Sequence, residues 1–277
     1  MMDDNSGQPS AKEVFDTTPY TILVVDDNPD MTDFLKRTFE GYFKRIIIAG
    51  DGVEALQLVR SHVPDIIVSD VMMPRMNGYK LCKTIKEDIN ISHIPVILLT
   101  ARDDRQSQIS GYKNGADGYL SKPFEVEMLM ELIRNRLKNR EYTKKRYLNA
   151  GLIPTPEEST ISLTDETFLI KLNSIIQENI ENSNLGIQFI CQEVGLGRSS
   201  LYNKLKALTG MGANEYISKL RIEKAITLIS GTDMPFSEIA EKTGFTTPSY
   251  FSTAFKQYTG ETPSQYKERK KKGLADK

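Results

Sequence analysis

The chain has 277 residues, 39% of them hydrophobic and 26% charged, with a net charge of −1. This is ordinary for a soluble globular protein of about two domains. No apolar run approaches the ~20 residues that cross a bilayer, and the polar first twenty residues lack the apolar segment of a secretory signal. The two cysteines, Cys82 and Cys191, fall in different candidate domains. That spacing argues against a disulfide and fits a reducing, cytoplasmic setting. With only His62 and His93 beside them, they supply no zinc ligand set.

The charge is unevenly spread. Residues 1–138 carry 17 Lys/Arg against 21 Asp/Glu, a net −4, and residues 139–277 carry 19 against 16, a net +3. Within 186–277 the count is 14 against 9, a mild +5 that points weakly to nucleic acid.

Residues 1–17 are polar and aperiodic and read as a disordered lead-in. From 18 to 138, apolar runs of strand length occur at 21–25, 45–49, 65–69, 95–99 and 118–120. Amphipathic stretches alternate with them, beginning at Met31, Val53, Tyr79, Gln106 and Glu125. Continuous apolar strands between helices predict a five-stranded parallel sheet covered on both faces, an α/β doubly wound fold. Ligands in such a fold sit beyond the carboxyl ends of the strands.

Those ends carry chemistry. Asp26 and Asp27 close the first strand, Asp70 the third, Thr100 the fourth, and Lys122 follows the fifth. Adjacent carboxylates repel unless a cation joins them, and oxygen-only ligation suits Mg²⁺. Asp27 and Asp70 are the favoured direct ligands, with Asp26 beside them and the Met72 carbonyl added. One Asp70 oxygen could then attack a phosphoryl group in line. Lys122 would hold a phosphate oxygen as a point charge, and Thr100 could donate its hydroxyl to another. Any one of these residues alone is better read as a turn or surface group; the joint occurrence carries the inference.

Residues 139–165 mix Arg140, Lys144, Lys145 and Arg146 with Gly151, Pro154 and Pro156, and read as a linker with a helical extension at its start. Residues 166–272 look wholly helical, and 273–277 form a tail. The helical part repeats itself. Ile190–Leu196 matches Ile239–Phe245 at a shift of 49; Leu201, Leu205, Thr209-Gly210 and Tyr216 then match Phe251, Phe255, Thr259-Gly260 and Tyr266 at a shift of 50. Each copy reads as a helix, a turn at glycine, and a second helix ended by glycine, the shape of a helix-turn-helix. The second helices are predicted at 198–208 and 248–258, with a long helix over 215–229 between the copies. Leu201, Leu205, Phe245, Phe251 and Phe255 are core residues by spacing. Arg198, Ser199, Tyr202 and Asn203 in the first unit, and Ser249, Tyr250 and Thr253 in the second, lie on faces able to reach bases. Lys204, Lys206 and Lys256 are phosphate candidates. The run Arg269–Lys272 reads equally as further phosphate contact or as a frayed basic end.

The motifs Val-Val-Asp26-Asp27-Asn, Ser-Asp70-Val-Met-Met-Pro-Arg-Met-Asn-Gly78, Leu-Leu-Thr100-Ala and Gly-Tyr119-Leu-Ser-Lys122-Pro-Phe together resemble the receiver domain of response regulators. The resemblance implies Asp70 as phosphoacceptor and Asp26 and Asp27 as the acidic pair. It also implies Thr100, Tyr119 and Lys122 as switch and phosphate residues, and a phosphohistidine on a sensor kinase as donor. From about Phe168 to Lys272 the chain resembles the AraC-family DNA-binding domain, most strongly over Phe236–Phe245, Ser249–Lys256 and Gly260–Tyr266. Met211-Gly212-Ala213 stands where that family often has a proline.

The expectation is a phosphorylation-controlled transcription factor, not an enzyme of turnover. Its partners are double-stranded DNA, a sensor histidine kinase in trans or in the same polypeptide, and a second copy when phosphorylated; no small-molecule ligand is implied. A hybrid polypeptide would place this chain at the cytoplasmic end of a membrane protein. Two alternatives stay open: an aspartate-dependent phosphohydrolase, and a relay receiver whose helices bind only protein.

Overall fold

The computed structural model describes residues 14–101, 115–149 and 162–275. The amphipathic stretch expected from Gln106 to Lys113, and residues 150–161 of the expected linker, lie outside the described residues. The chain divides into two compact units, one of residues up to 82 with 94–138, the other of 83–93 with 139 onward.

The first unit is built on five parallel strands: β1 (Thr21–Val25), β2 (Arg45–Ala49), β3 (Ile66–Asp70), β4 (Val96–Thr100) and β5 (Gly118–Ser121). Their order is β2-β1-β3-β4-β5. β3 and β4 are buried at every position, as is β1 after Thr21. The edge strand β5 alternates buried and half-buried residues. Continuous apolar runs were therefore readable for the central strands, where both faces are covered. β3 and β4 begin one residue later than the apolar runs suggest. The Asp65 N–H donates to the Thr21 carbonyl at 2.8 Å, but the Thr21 N–H is taken by the Asp65 side chain at 2.9 Å, and Pro95 has no N–H for the ladder.

Helices α1 (Pro29–Phe39), α2 (Gly52–His62) and α3 (Gly78–Glu87) follow the first three strands. Asn28 caps α1, with Pro29 at its first position, and Asp51 caps α2 by accepting from the Val53 and Glu54 N–H groups at 2.7 and 3.1 Å. Leu35 and Phe39 of α1 pack with Ile22, Val24, Ile66 and Val68 of the sheet. α4 (Val126–Asn149) places Leu129, Ile133 and Leu137 in the same core. The helix continues through residues 139–149, the start of the expected linker, and Tyr147 in its last turn joins the core of the second unit.

That second unit is helical: α5 (Leu163–Glu178), α6 (Ile187–Val194), α7 (Arg198–Thr209), α8 (Ala213–Gly231), α9 (Phe236–Lys242), α10 (Pro248–Thr259) and α11 (Pro263–Ala275). The internal repeat is structural. Gly195 and Gly244 follow the first helix of each pair with φ of +73° and +72°; Gly210 and Gly260 end the second helices with φ of +75° and +82°. These are left-handed positions that suit glycine. Two apolar clusters result. Ile190, Leu201, Leu205, Tyr216 and Leu220 belong to one, and Ile222, Ile239, Phe245, Phe251 and Phe255 to the other. α8 runs through both, and its residue 221 lies between them.

Candidate functional site

The strand order reverses at β1 and β3, so the crevice of this sheet opens beyond their carboxyl ends. Asp26 follows β1 there, and Asp70 ends β3 in register with Leu99. Lys122 follows β5; its N–H donates to the Thr100 carbonyl at 2.6 Å. The Lys122 Nζ donates to Asp26 Oδ2 at 2.7 Å and to Asp70 Oδ1 at 2.6 Å. The remaining oxygens are also held: Asp26 Oδ1 accepts from the Asn28 N–H at 2.9 Å, and Asp70 Oδ2 from the Met72 N–H at 2.6 Å.

Burial pushes the Asp70 carboxyl above its ordinary value, against the pull of the Lys122 ammonium. Burial also disfavours the Lys122 charge, but its hydrogen bonds to Asp26 and Asp70 outweigh this and hold it above the usual lysine value. One ammonium thus serves two buried carboxylates, which leaves the site short of positive charge.

The sequence put three carboxylates together. The structure joins Asp26 and Asp70 through Lys122, while Asp27 is exposed. Among the described residues no three His, Cys, Asp or Glu side chains gather closely enough to hold an ion by themselves. The donors at hand are nonetheless all oxygens, from Asp26, Asp27, Asp70 and the Met72 carbonyl, which fits a hard cation in kind. Among the described residues, each bonded oxygen of Asp26 and Asp70 takes one hydrogen bond, which leaves it a further lone pair for a cation. Thr100 is buried at the end of β4. Tyr119 on β5 is half-buried, with its hydroxyl 3.1 Å from that of Tyr79 on α3.

Sequence reasoning missed the scaffold behind Asp70. Arg75, held at φ +60°, forms an ion pair with the buried Asp51 carboxylate. The Gly52 N–H donates to the Met76 carbonyl at 3.2 Å. These contacts tie the β3–α3 connection to the start of α2. Asp51 was legible as a helix cap, but not as the partner of an arginine 24 residues away.

The second candidate surface is on α7 and α10. Arg198, Ser199, Tyr202, Asn203 and Lys206 are exposed on α7, and Ser249, Tyr250, Thr253 and Lys256 on α10. Exposed Thr246, Thr247 and Gln257 extend the second face and were not anticipated. The Arg198 guanidinium donates to Gln188 Oε1 at 3.3 Å.

Lys204 corrects the reading of this face. It is 0% exposed, and its Nζ is ion-paired with Asp165, itself 2% exposed at the start of α5. Ser92, which clusters with this unit, accepts from Lys204 at 2.8 Å and donates to Asp165 at 2.7 Å. An ammonium so enclosed does not face solvent and cannot meet a phosphate. The run Arg269–Lys272 continues α11 as helix; Arg269 pairs with Glu261 at 2.6 Å and Lys272 with Glu268 at 2.8 Å.

A doubly wound sheet with this strand-end constellation, followed by paired helix-turn-helix units, defines a receiver module with a DNA-binding module. Comparison with known proteins agrees: residues 22–134 match the response regulator receiver domain, and 190–269 match a helix-turn-helix domain. Histidine kinase P4 of Formosa agariphila is 41% identical over 90% of this chain and 18% of its own length. The response regulator MprA of a Mycobacterium species (strain KMS) is 36% identical over 55% of this chain and 70% of its own. The DNA-binding response regulator MtrA of Mycolicibacterium smegmatis is 36% identical over 49% of this chain and 58% of its own. The chain belongs to the response-regulator family, with an AraC-type helix-turn-helix module following its receiver. It spans less than a fifth of histidine kinase P4 and 58% of MtrA. Among the described residues, no helix is long and apolar enough to cross a membrane.

Proposed function

We propose that this chain receives a phosphoryl group on Asp70 and converts it into a change in sequence-specific DNA binding by residues 166–272. The observation that carries the reading is the Lys122 ammonium set between Asp26 and Asp70 at the switch point of the sheet. An Asp70 oxygen attacks the phosphorus of a phosphohistidine on a sensor kinase; the P–N bond breaks, its electron pair leaves with the imidazole, and an acyl phosphate forms. Asp26, Asp27, Asp70 and the Met72 carbonyl would hold Mg²⁺, which supplies charge neutralisation when bound. Lys122 would exchange its bond to Asp70 for one to a phosphoryl oxygen.

The phosphoryl group adds close to two negative charges beside Thr100 and Lys122. Thr100 would turn its hydroxyl toward it, Tyr119 would take the space left, and the receiver's face would shift between two populations. The active form would be a homodimer in the cytoplasm, with the kinase in trans or in the same polypeptide. An Asp70→Asn chain incubated with Mg²⁺ and a small-molecule phosphoryl donor should take up no phosphate; retained labelling removes Asp70 from this role.

On DNA, Arg198, Ser199, Tyr202, Asn203, Ser249, Tyr250 and Thr253 would face bases, while Lys206 and Lys256 meet phosphates. Replacing either lysine by alanine should weaken binding to all sequences alike. It should also lower the slope of log affinity against log salt by about 1. A salt series on duplex DNA reads this directly, and an unchanged slope removes that lysine from the interface.

A further inference from the structure

Arg221 is a charged residue in the middle of α8 that neither candidate surface uses. It is 9% exposed. Its neighbour Leu220 belongs to the first apolar cluster and Ile222 to the second. The guanidinium therefore sits at the joint between the two helix-turn-helix units.

Its contacts reach both sides. Nη2 donates at 2.7 Å to the main-chain carbonyl of Asn182, in the connection between α5 and α6 of the first unit. The guanidinium carbon lies 5.9 Å from the ring centroid of Phe245, in the turn of the second unit. Gly244, beside that ring, lies so close to the first unit that a Cβ there would overlap the Ile180 carbonyl oxygen and come within 2.9 Å of Arg221 Nη2. Two main-chain segments thus meet at Ile180 and Gly244, and one planar cation fills the corner. A guanidinium can bond a carbonyl with an edge while its face covers a ring; an ammonium has no such plane.

The arrangement is costly. Among the described residues no carboxylate pairs with the Arg221 guanidinium, and its buried Nε has no hydrogen-bond partner. Burial lowers its affinity for the proton. A residue chosen for stability alone would be apolar here, since a buried charge without a full set of partners is a net penalty.

We infer that Arg221 is a positioning residue that fixes the angle between the two helix-turn-helix units, so that α7 and α10 meet successive major grooves together. The inference rests on the DNA-reading role proposed above. Grooves on one side of DNA are about 34 Å apart. Over that distance a tilt of about 10° moves one helix by about 6 Å, well beyond the reach of a hydrogen bond.

The test uses the full chain and a duplex selected by the wild-type protein from a random library. Arg221→Met should weaken binding to the selected two-part duplex by about 10- to 100-fold. Binding to a duplex with one half randomised should change less than threefold, and the melting temperature should not fall. Arg221→Lys should fall between the two. Spin labels at Lys206→Cys and Gln257→Cys should give a narrow distance distribution in the wild type and a broad one in Arg221→Met. Unchanged two-part affinity with an unchanged distribution overturns the inference, as does a loss that is equal on both duplexes and tracks a falling melting temperature. If the wild type selects no sequence, the DNA-reading proposal fails, while the label distances still decide the role of Arg221.

Discussion

Replacing Asp165 by alanine should destabilise the helical unit by about 3–5 kcal/mol, the usual cost of stripping one partner from a buried ion pair. The carboxylate accepts from Ser162 and Ser92 as well as from Lys204, and the Ser162 hydroxyl in turn caps α5. Its removal leaves the Lys204 ammonium enclosed beside the Phe168 ring, 5.1 Å from the centroid, hydrogen-bonded to Ser92 at 2.8 Å but without its ion-pair partner. Burial already lowers the Lys204 pKa, and Asp165 opposes that shift. Lys204→Met should cost less than Asp165→Ala, because the carboxylate keeps two hydroxyl donors. The double change Lys204→Met with Asp165→Asn should cost much less than the sum of the single ones, since no buried charge remains. Hydrogen exchange of the α5 and α7 amides in the full chain reads these differences locally. Additive costs would show that the two residues do not act as a pair. Lys204→Met should also leave the salt slope of DNA binding unchanged, in contrast to Lys206 and Lys256.

That contrast shows where sequence reasoning reached its limit. Lys204 stands three residues after Leu201 and four before Leu208, both buried. Helical spacing already put it on the apolar stripe; its charge argued the other way. The deciding fact was a carboxylate 39 positions earlier in the chain, which no local pattern reveals. The central strands were legible because a parallel sheet buried on both faces writes itself as unbroken apolar runs, and the helix-turn-helix pairs because the repeat doubles the signal. α4 beyond Lys138 was legible only in part. Residues 139–149 are mostly polar, and Tyr147 is the residue by which this stretch joins the core of the second unit. The convergence of Asp26, Asp70 and Lys122 was readable from strand ends. The bridging of two carboxylates by one ammonium, and the Arg75–Asp51 clamp, needed coordinates.

The acceptor's geometry depends on a residue with no side chain. Gly78 opens α3 directly against the end of β3: its N–H donates to the Val71 carbonyl at 3.0 Å. A Cβ at position 78 would overlap the Asp70 carbonyl oxygen and come within 3.0 Å of the Val71 Cα. Both neighbours are main chain, so neither can swing aside as a flexible side chain would. Gly78→Ala must therefore move the start of α3, the end of β3, or both. The Asp70 carboxylate is held between the Met72 N–H and Lys122 by bonds of 2.6 Å each, which do not survive a shift of about an ångström. Attack in line needs the acceptor oxygen in place, and a misplacement of about 1 Å can cost on the order of 100-fold in rate. Gly78→Ala should therefore slow phosphoryl uptake by about that factor although Asp70 is intact, with a stability loss of about 1–3 kcal/mol from overpacking. Gly231→Ala, where a Cβ meets nothing within 4 Å, should leave uptake unchanged. Labelling time courses on folded protein separate the two variants, and a wild-type rate in Gly78→Ala would mean that the close approach of α3 does not position the acceptor.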